Sequence, residues 1–255
     1  LYLYMATRDK KYLDQAERVC DVIIRNMVDA KSGWVLENFD KNWKQLPGKP
    51  NEQEINIGHN IEIAWSLLRL HLLNNRPDYL KAGKALADRV HQYGFNSENG
   101  FWFATVGNKH PDQHSDYTYW WIQAYGNMFD LCLSRLYPEQ HYVDNFKKGA
   151  AFWDTYFLDK EKGDTHLSVL ENGTVKEGQK ANQFKASYHN LEHCLLNYLY
   201  LGCWVNREPV TLYFKITSSK SGDTLHPIPI EMLDAQYTDI RINDEPYSST
   251  AQDFI

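Results

Sequence analysis

The sequence predicts a mainly α fold of repeated helical hairpins, arranged as an α/α toroid, with a short C-terminal β segment. Three observations point to it. Six segments carry helical periodicity, three glycine-marked hairpin stretches separate them at nearly constant spacing, and the residue pattern changes beyond Gly202.

Helical spacing of apolar residues places helices at 11–28, 59–73, 78–93, 117–136, 143–158 and 188–203. Between some of them lie "SGWVLENFDKNWKQL", "ENGFWFATVGN" and "GDTHLSVLENGTVKEG", each read as strand, turn and strand. Asn172-Gly173 in the last predicts a tight hairpin turn with positive φ at both positions. Gly33, Gly100 and Gly163 mark the three stretches at spacings of 67 and 63 residues. A helix, a hairpin and a second helix recurring at that length suit a toroid in which inner helices line a cavity and outer helices clad them. An open α-solenoid is the alternative. The opening "LYLYMATRDKKYLDQAERV" reads as the tail of one helix and the start of another, so an N-terminal part of the repeat array is expected to be missing. The expected division is an α/α domain over 1–205 and the start of a small β-type region over 206–255, in which no chemistry is evident.

Composition narrows the function. In 255 residues, 43% hydrophobic and 14% aromatic content suffices for a packed core. A formal net charge of −6 gives no basic footprint for nucleic acid or an anionic membrane, and no apolar run is long enough to span a bilayer. Cys20, Cys132, Cys194 and Cys203 lie in helical segments without CxxC spacing, so reduced core thiols of a cytoplasmic protein are expected. With no leader evident, Asn172-Gly173-Thr174 reads as a turn rather than a glycosylation site.

The repeat phase gathers the chemistry. Helices that follow a hairpin begin with "GHNIE" (58–62), "YTYWWIQ" (117–123) and "SYHNLE" (187–192). Equivalent helix starts share one rim, so His59, Trp120, Trp121 and His189 are expected to converge there. Glu62 and Glu192 stand three residues after a histidine, on the same helix face, and are expected to orient His59 and His189. Adjacent helical positions diverge by about 100°, so only one of the tryptophans, Trp121, is expected to face the cavity. Indole beside imidazole suits a sugar, whose C–H face stacks while its hydroxyls seek polar partners. Two histidines on opposite sides of it allow proton removal and return. The competing reading makes the repeated HN[IL]E a relic of duplication with structural histidines; the in-phase tryptophans favour a site. His189-Asn190-Leu191-Glu192-His193 also fits H-x-x-E-H, but a zinc site needs a third ligand on rigid structure, and Glu231 and Asp234 downstream have no helical framing. No metal and no cofactor are expected.

In order and spacing, "IGHNIEIAWSLL", "YWWIQA" and "FKASYHNLEHCL" resemble the N-acylglucosamine 2-epimerase family, which includes cellobiose 2-epimerases. The resemblance covers residues 1–203. It implies an (α/α)6 barrel that inverts C2 of a reducing-end sugar through ring opening, proton abstraction and an enediolate. It further implies that His189 and His59 are the acid/base pair, with Glu62 orienting His59 and Trp121, with Trp120, stacking on the sugar. Tyr188, Phe184 and Glu192 would complete the sugar-binding surroundings. Three positions differ from the family pattern: Glu192 stands where arginine is usual, Tyr125 where glutamate is, and Phe184 where tryptophan is frequent. The expected function is a sugar 2-epimerase or aldose–ketose isomerase acting on a mono- or oligosaccharide. A glycoside hydrolase or lyase on the same toroid, or a non-catalytic carbohydrate-binding module, are the alternatives.

Overall fold

A computed structural model describes residues 1–48, 53–138, 140–215, 226, 231, 236 and 238–247. Its helices are α1 (Tyr2–Thr7), α2 (Lys10–Asn26), α3 (Ile57–Asn74), α4 (Pro77–Gly94), α5 (Trp120–Leu136), α6 (Tyr142–Phe152) and α7 (Tyr188–Tyr200). Short strands lie between them: β1 (Glu54–Asn56), β2 (Phe95–Asn96), β3 (Phe101–Trp102), β4 (Thr105–Gly107), β5 (Tyr117–Tyr119), β6 (Ser168–Leu170), β7 (Val175–Glu177), and the hairpin β8 (Arg241–Ile242) with β9 (Glu245–Pro246).

Burial separates an inner from an outer layer. Fourteen of the seventeen residues of α5 are buried, against two of seventeen in α2. The central helices α3, α5 and α7 pack side by side, with α4 clasped to α3 and α6 to α5. The main core lies between them, around Ile61, Ala64, Leu68, Met128, Phe129 and Leu196. Fully enclosing side chains of this size stabilises by roughly 1.5–3 kcal/mol each.

The repeat holds to the residue. Gly33, Gly100 and Gly163 take φ of 74, 81 and 74°, a left-handed backbone that favours glycine. In each case the glycine N–H donates to the carbonyl four residues back, on Asp29, Asn96 and Asp159. Each loop closes on a pair in the same phase: Val28 with Val35, Phe95 with Trp102, Leu158 with Thr165. The repeats are also stitched to one another. Strand β1 pairs with β4 at Asn56 and Thr105, and β5 pairs with β6 at Tyr119 and Ser168. At each seam the first N–H of an inner helix donates into the next loop, Ile57 to the Ala104 carbonyl (3.1 Å) and Trp120 to that of Leu167 (3.0 Å).

Several expected details change. The central helix starts at Trp120 rather than at residue 117, because Tyr117–Tyr119 is claimed by β6. Helices α6 and α7 end before 158 and 203, each passing into a π-helical turn, Trp153–Phe157 and Leu201–Asn206. In the β6–β7 hairpin only Gly173 has positive φ (85°); Asn172 does not, and the Leu170 carbonyl accepts from Gly173 N–H across the turn. The stretch after Gly33 forms only isolated bridges, Val28 with Val35 and Phe39 with Gln45. Cys194 is exposed, since it lies on the open side of α7; none of the four cysteines is in a disulfide.

Beyond 206 much of the β-type region, Asp234 included, lies outside the described residues. What is described includes the exposed β8–β9 hairpin and Glu231. Glu231 is enclosed, paired with the buried Arg69 of α3 and accepting from the Tyr200 hydroxyl at 3.3 Å. Among the described residues no helix is long and apolar enough to cross a membrane.

Candidate active site

The first turns of the three inner helices meet on one rim. At the fourth residue of α3 and α5 and the third of α7 stand Asn60, Gln123 and Asn190, each fastened to the residue two past a loop glycine. Asn60 accepts from Val35 N–H (2.9 Å) and donates to the Val35 carbonyl (3.2 Å). Gln123 accepts from Trp102 N–H (3.2 Å) and donates to the Gly100 carbonyl (2.8 Å). Asn190 donates to Thr165 Oγ1 (3.2 Å) and to Asp164 (2.6 Å). The repeated asparagine of HN[IL]E therefore ties α3 and α7 to their own loops, and Gln123 does the same for α5. These bonds fix the phase of the rim, and every other site position follows from it.

Two residues before those anchors stand Gly58, Trp121 and Tyr188. Trp121 lies directly over Gly58, where a Cβ would come within 2.3 Å of the indole. One residue before the anchors stand His59, Ile122 and His189. The His59 and His189 rings both pack against Trp121, with centroids 5.3 and 6.3 Å from it and interplanar angles of 33 and 35°. Both histidines reach solvent, His59 with half its side chain exposed and His189 half-buried. Trp120 turns instead into the second core cluster with Phe101 and Phe152, touching His189 edge-on.

The two imidazoles are held differently. His59 Nδ1 lies 2.6 Å from Glu37 Oε1, and this hydrogen bond raises the histidine's pKa above its ordinary value against the opposing effect of burial. Glu37, and not Glu62, is thus the hydrogen-bonded partner of His59. The reason is geometric: Asn60 pins Val35, which hands Glu37 across to the ring, while Glu62 sits a turn further in beside Tyr125. Burial raises the Glu62 pKa, with His59 opposing. At His189, burial lowers the pKa and Glu192 works against it. Among the described residues His189 Nδ1 has no hydrogen-bond partner.

Two residues past the anchors stand Glu62, Tyr125 and Glu192, a tier facing inward. Glu192 does not bond His189; it accepts from Tyr2 (2.5 Å), Tyr125 (3.0 Å) and Tyr188 (3.2 Å). The Tyr188 hydroxyl, half-exposed, is pushed up to about 12, chiefly by burial and by the Glu192 charge. Phe184 stands apart from this cluster, 77% exposed, its backbone N–H capped by Asn182. His193 is enclosed against Trp153 (4.5 Å) with Nε2 3.2 Å from Asn127 Nδ2, and burial drops its pKa to about 3. Among the described residues, no three His, Cys, Asp or Glu side chains converge as a metal-binding set. Two surface grooves, of about 370 and 600 Å³, border Glu171 and contain none of the rim residues.

Sequence reasoning missed Glu37 and Tyr2. A signal for Glu37 exists. It lies four residues past Gly33, where the other repeats have Ala104 and Leu167, both buried, so a carboxylate there breaks the repeat's apolar pattern.

Residues 1–193 match the profile of a family described as N-acylglucosamine 2-epimerase (GlcNAc 2-epimerase). Among solved structures, the chain is similar to cellobiose 2-epimerase from Bacillus thermoamylovorans B4167, with TM-score 0.65 and 19% identity over 76% of this chain and 48% of that one. It is similar to a D-mannose isomerase, with TM-score 0.66 and 21% identity over 74% of this chain and 51% of that one. It is also similar to cellobiose 2-epimerase from Spirochaeta thermophila DSM 6192, with TM-score 0.62 and 22% identity over 76% and 48%. These likenesses show the fold, an (α/α)6 toroid of which the chain carries consecutive hairpins. The chain spans about half the length of these structures.

Proposed function

Since the chain belongs to the N-acylglucosamine 2-epimerase family, we propose that it acts at C2 of a reducing-end mono- or oligosaccharide, as an epimerase or aldose–ketose isomerase. The single observation that supports this reading is that two solvent-reachable imidazoles both pack against Trp121, in environments that push their protonation in opposite directions. Pairs of titratable groups driven apart in this way mark acid and base roles.

In this reading the open-chain sugar lies on Trp121. His189, kept uncharged by burial, takes the proton. The C2–H bond breaks, its electron pair passes into the carbonyl as an enediolate, and the proton resides on the imidazole. His59, whose protonated form the Glu37 hydrogen bond favours, delivers a proton to the opposite face of C2, giving the epimer. Passage of the O2 hydroxyl proton to O1, with return of the carbon-bound proton to C1 and formation of the C2 carbonyl, instead gives the ketose. Exchange with solvent resets both rings, which their exposure permits.

The test is incubation with reducing glucose- and mannose-type sugars in deuterated water. Deuterium entering at C2 is the expected result, abolished by His189→Ala. Undiminished exchange in that variant sinks the assignment. A glycoside hydrolase or lyase would draw instead on Glu62 and Glu192, and would show as loss of glycosidic linkages. The occupation of Glu192 by three phenols speaks against a free carboxylate in that role. Binding without exchange would indicate a carbohydrate-binding module.

A further inference from the structure

Glu192 is the most heavily engaged side chain near the rim, and the proton transfers above do not use it. The residue is 8% exposed, and its carboxylate accepts from hydroxyls of three different helices: Tyr2 of α1, Tyr125 of α5 and Tyr188 of α7. A buried carboxylate held by several donors is fixed in place. Two of the same tyrosines also cage His189, edge-on to its ring at 5.3 Å (Tyr125) and 5.1 Å (Tyr188). Glu192 stands three residues from His189 on one helix, a spacing that sets both on a common face. The nearest guanidinium, Arg69, is committed to Glu231 and lies over the Tyr2 and Trp65 rings.

We propose that Glu192, clamped by Tyr2, Tyr125 and Tyr188, is the positioning residue for His189, its carboxylate serving as counter-charge to the imidazolium formed when that ring holds the substrate proton. The clamp matters as much as the charge. A free glutamate could swing onto the imidazole and capture its proton, whereas one held by three phenols acts through space and leaves the ring free for substrate. The other groups facing this region are Trp120, Trp121 and Tyr125 from α5, His59 and Glu62 from α3, and Tyr188 from α7. Of these Glu62 is the other carboxylate; burial raises its pKa, with His59 opposing. The charged group that acts on His189 is Glu192, so the base strength of His189 is set from α7 itself.

This rests on the reading of the rim as a proton-transfer site, so its test has a readout independent of turnover. The ten histidines are labelled and the His189 ring, identified by its absence in His189→Ala, is titrated by NMR. Glu192→Gln keeps the size and removes the charge. The His189 midpoint is expected to fall by about 1 unit or more, the size of shift that an opposite charge within a few ångström produces. Exchange at C2 should fall by about tenfold or more, with the acid limb of its pH profile displaced by the same amount as the midpoint. Tyr2→Phe leaves the carboxylate but removes one dipole that offsets it, so the midpoint is expected to rise, the opposite direction. Glu192→Asp, which keeps the charge, should bring the midpoint back toward native. A midpoint unmoved in both Glu192→Gln and Tyr2→Phe overturns the proposal. Absence of C2 exchange in the native chain overturns the functional reading alone, and the titration still decides the role of Glu192.

Discussion

Glu37 reaches His59 from a loop twenty-two residues earlier, Oε1 to Nδ1 at 2.6 Å, so the protonation of one rim histidine is governed by a residue outside its own helix. Replacing Glu37 by Gln removes the charge while keeping an acceptor. The His59 pKa, now held above its ordinary value, is expected to fall. If His59 is the proton donor, activity declines as pH rises through that pKa, and the declining limb of the kcat/KM profile should move to lower pH. The sign for stability agrees. A raised folded-state pKa contributes stability that is present below the unfolded value of about 6.5 and is lost as pH rises through the folded one. Denaturant unfolding of native and Glu37→Gln chains should therefore differ at pH 5.5 and converge toward pH 9. A profile unaltered by the substitution contradicts the donor role.

Gly58 is needed because Trp121 rests on it. A Cβ at 58 would stand 2.3 Å from the indole and 2.7 Å from Ile122. Gly58→Ala is expected to cost roughly 1–3 kcal/mol of stability, the usual result of overpacking. It should also move Trp121 away from the imidazoles, blue- or red-shifting its fluorescence and weakening sugar binding in a titration. Native affinity in the variant would remove Trp121 from the stacking role.

The three loop glycines share a backbone conformation but differ in surroundings, and their alanine variants should differ accordingly. At Gly163 nothing lies within 4 Å of a built Cβ, so only the positive φ is strained, a cost of about 1 kcal/mol. At Gly100 the Cβ would meet the Lys148 and Gly149 backbone at 2.3–2.5 Å. Gly100→Ala is expected to destabilise by several times as much, on the order of 3 kcal/mol. Chemical denaturation of both variants measures the difference; equal losses would mean the α4–α5 loop yields where its packing says it cannot.

His193 supplies an acid-sensitive element. Burial holds its pKa at about 3, so the folded chain refuses a proton that the unfolded chain takes up below about 6.5. A depressed folded-state pKa gives stability that is complete above the unfolded value and lost as pH falls toward the folded one. Between pH 6.5 and 4.5 the loss from this group is on the order of 2 kcal/mol. His193→Gln keeps a polar group for Asn127 and cannot titrate; its stability should be flatter over that interval. An equally steep decline would assign the acid lability to other groups.

Periodicity was sufficient for the helices and for the loop glycines, because both depend on local sequence: an apolar stripe marks the buried face, and a required positive φ admits glycine at a fixed interval. The same phase brought His59, Trp121 and His189 to one rim. It could not reveal partners supplied from elsewhere in the chain. Glu62 has the right spacing from His59, yet Glu37 takes the hydrogen bond, since spacing on a helix says nothing about what a neighbouring loop delivers. Glu192 was matched with His189 by the same local rule, and its hydroxyl partners instead include Tyr2, 190 residues away. Tyr117–Tyr119 shows the converse, a helical-looking start drawn into a strand by Ser168–Leu170.

The pairing of β1 with β4, and of β5 with β6, gives the rim a property that no single hairpin has. Each unit completes its edge with a strand borrowed from its successor, as overlapping shingles do, so a unit cannot lift without loosening the one laid over it. Amide protons of Ile57 and Trp120, which lie beneath those overlaps, should exchange with solvent at a common slow rate rather than with the fast, separate rates of surface loops. The residues that would grip a sugar then share one stiff collar, and any yielding needed to admit it must come from side chains.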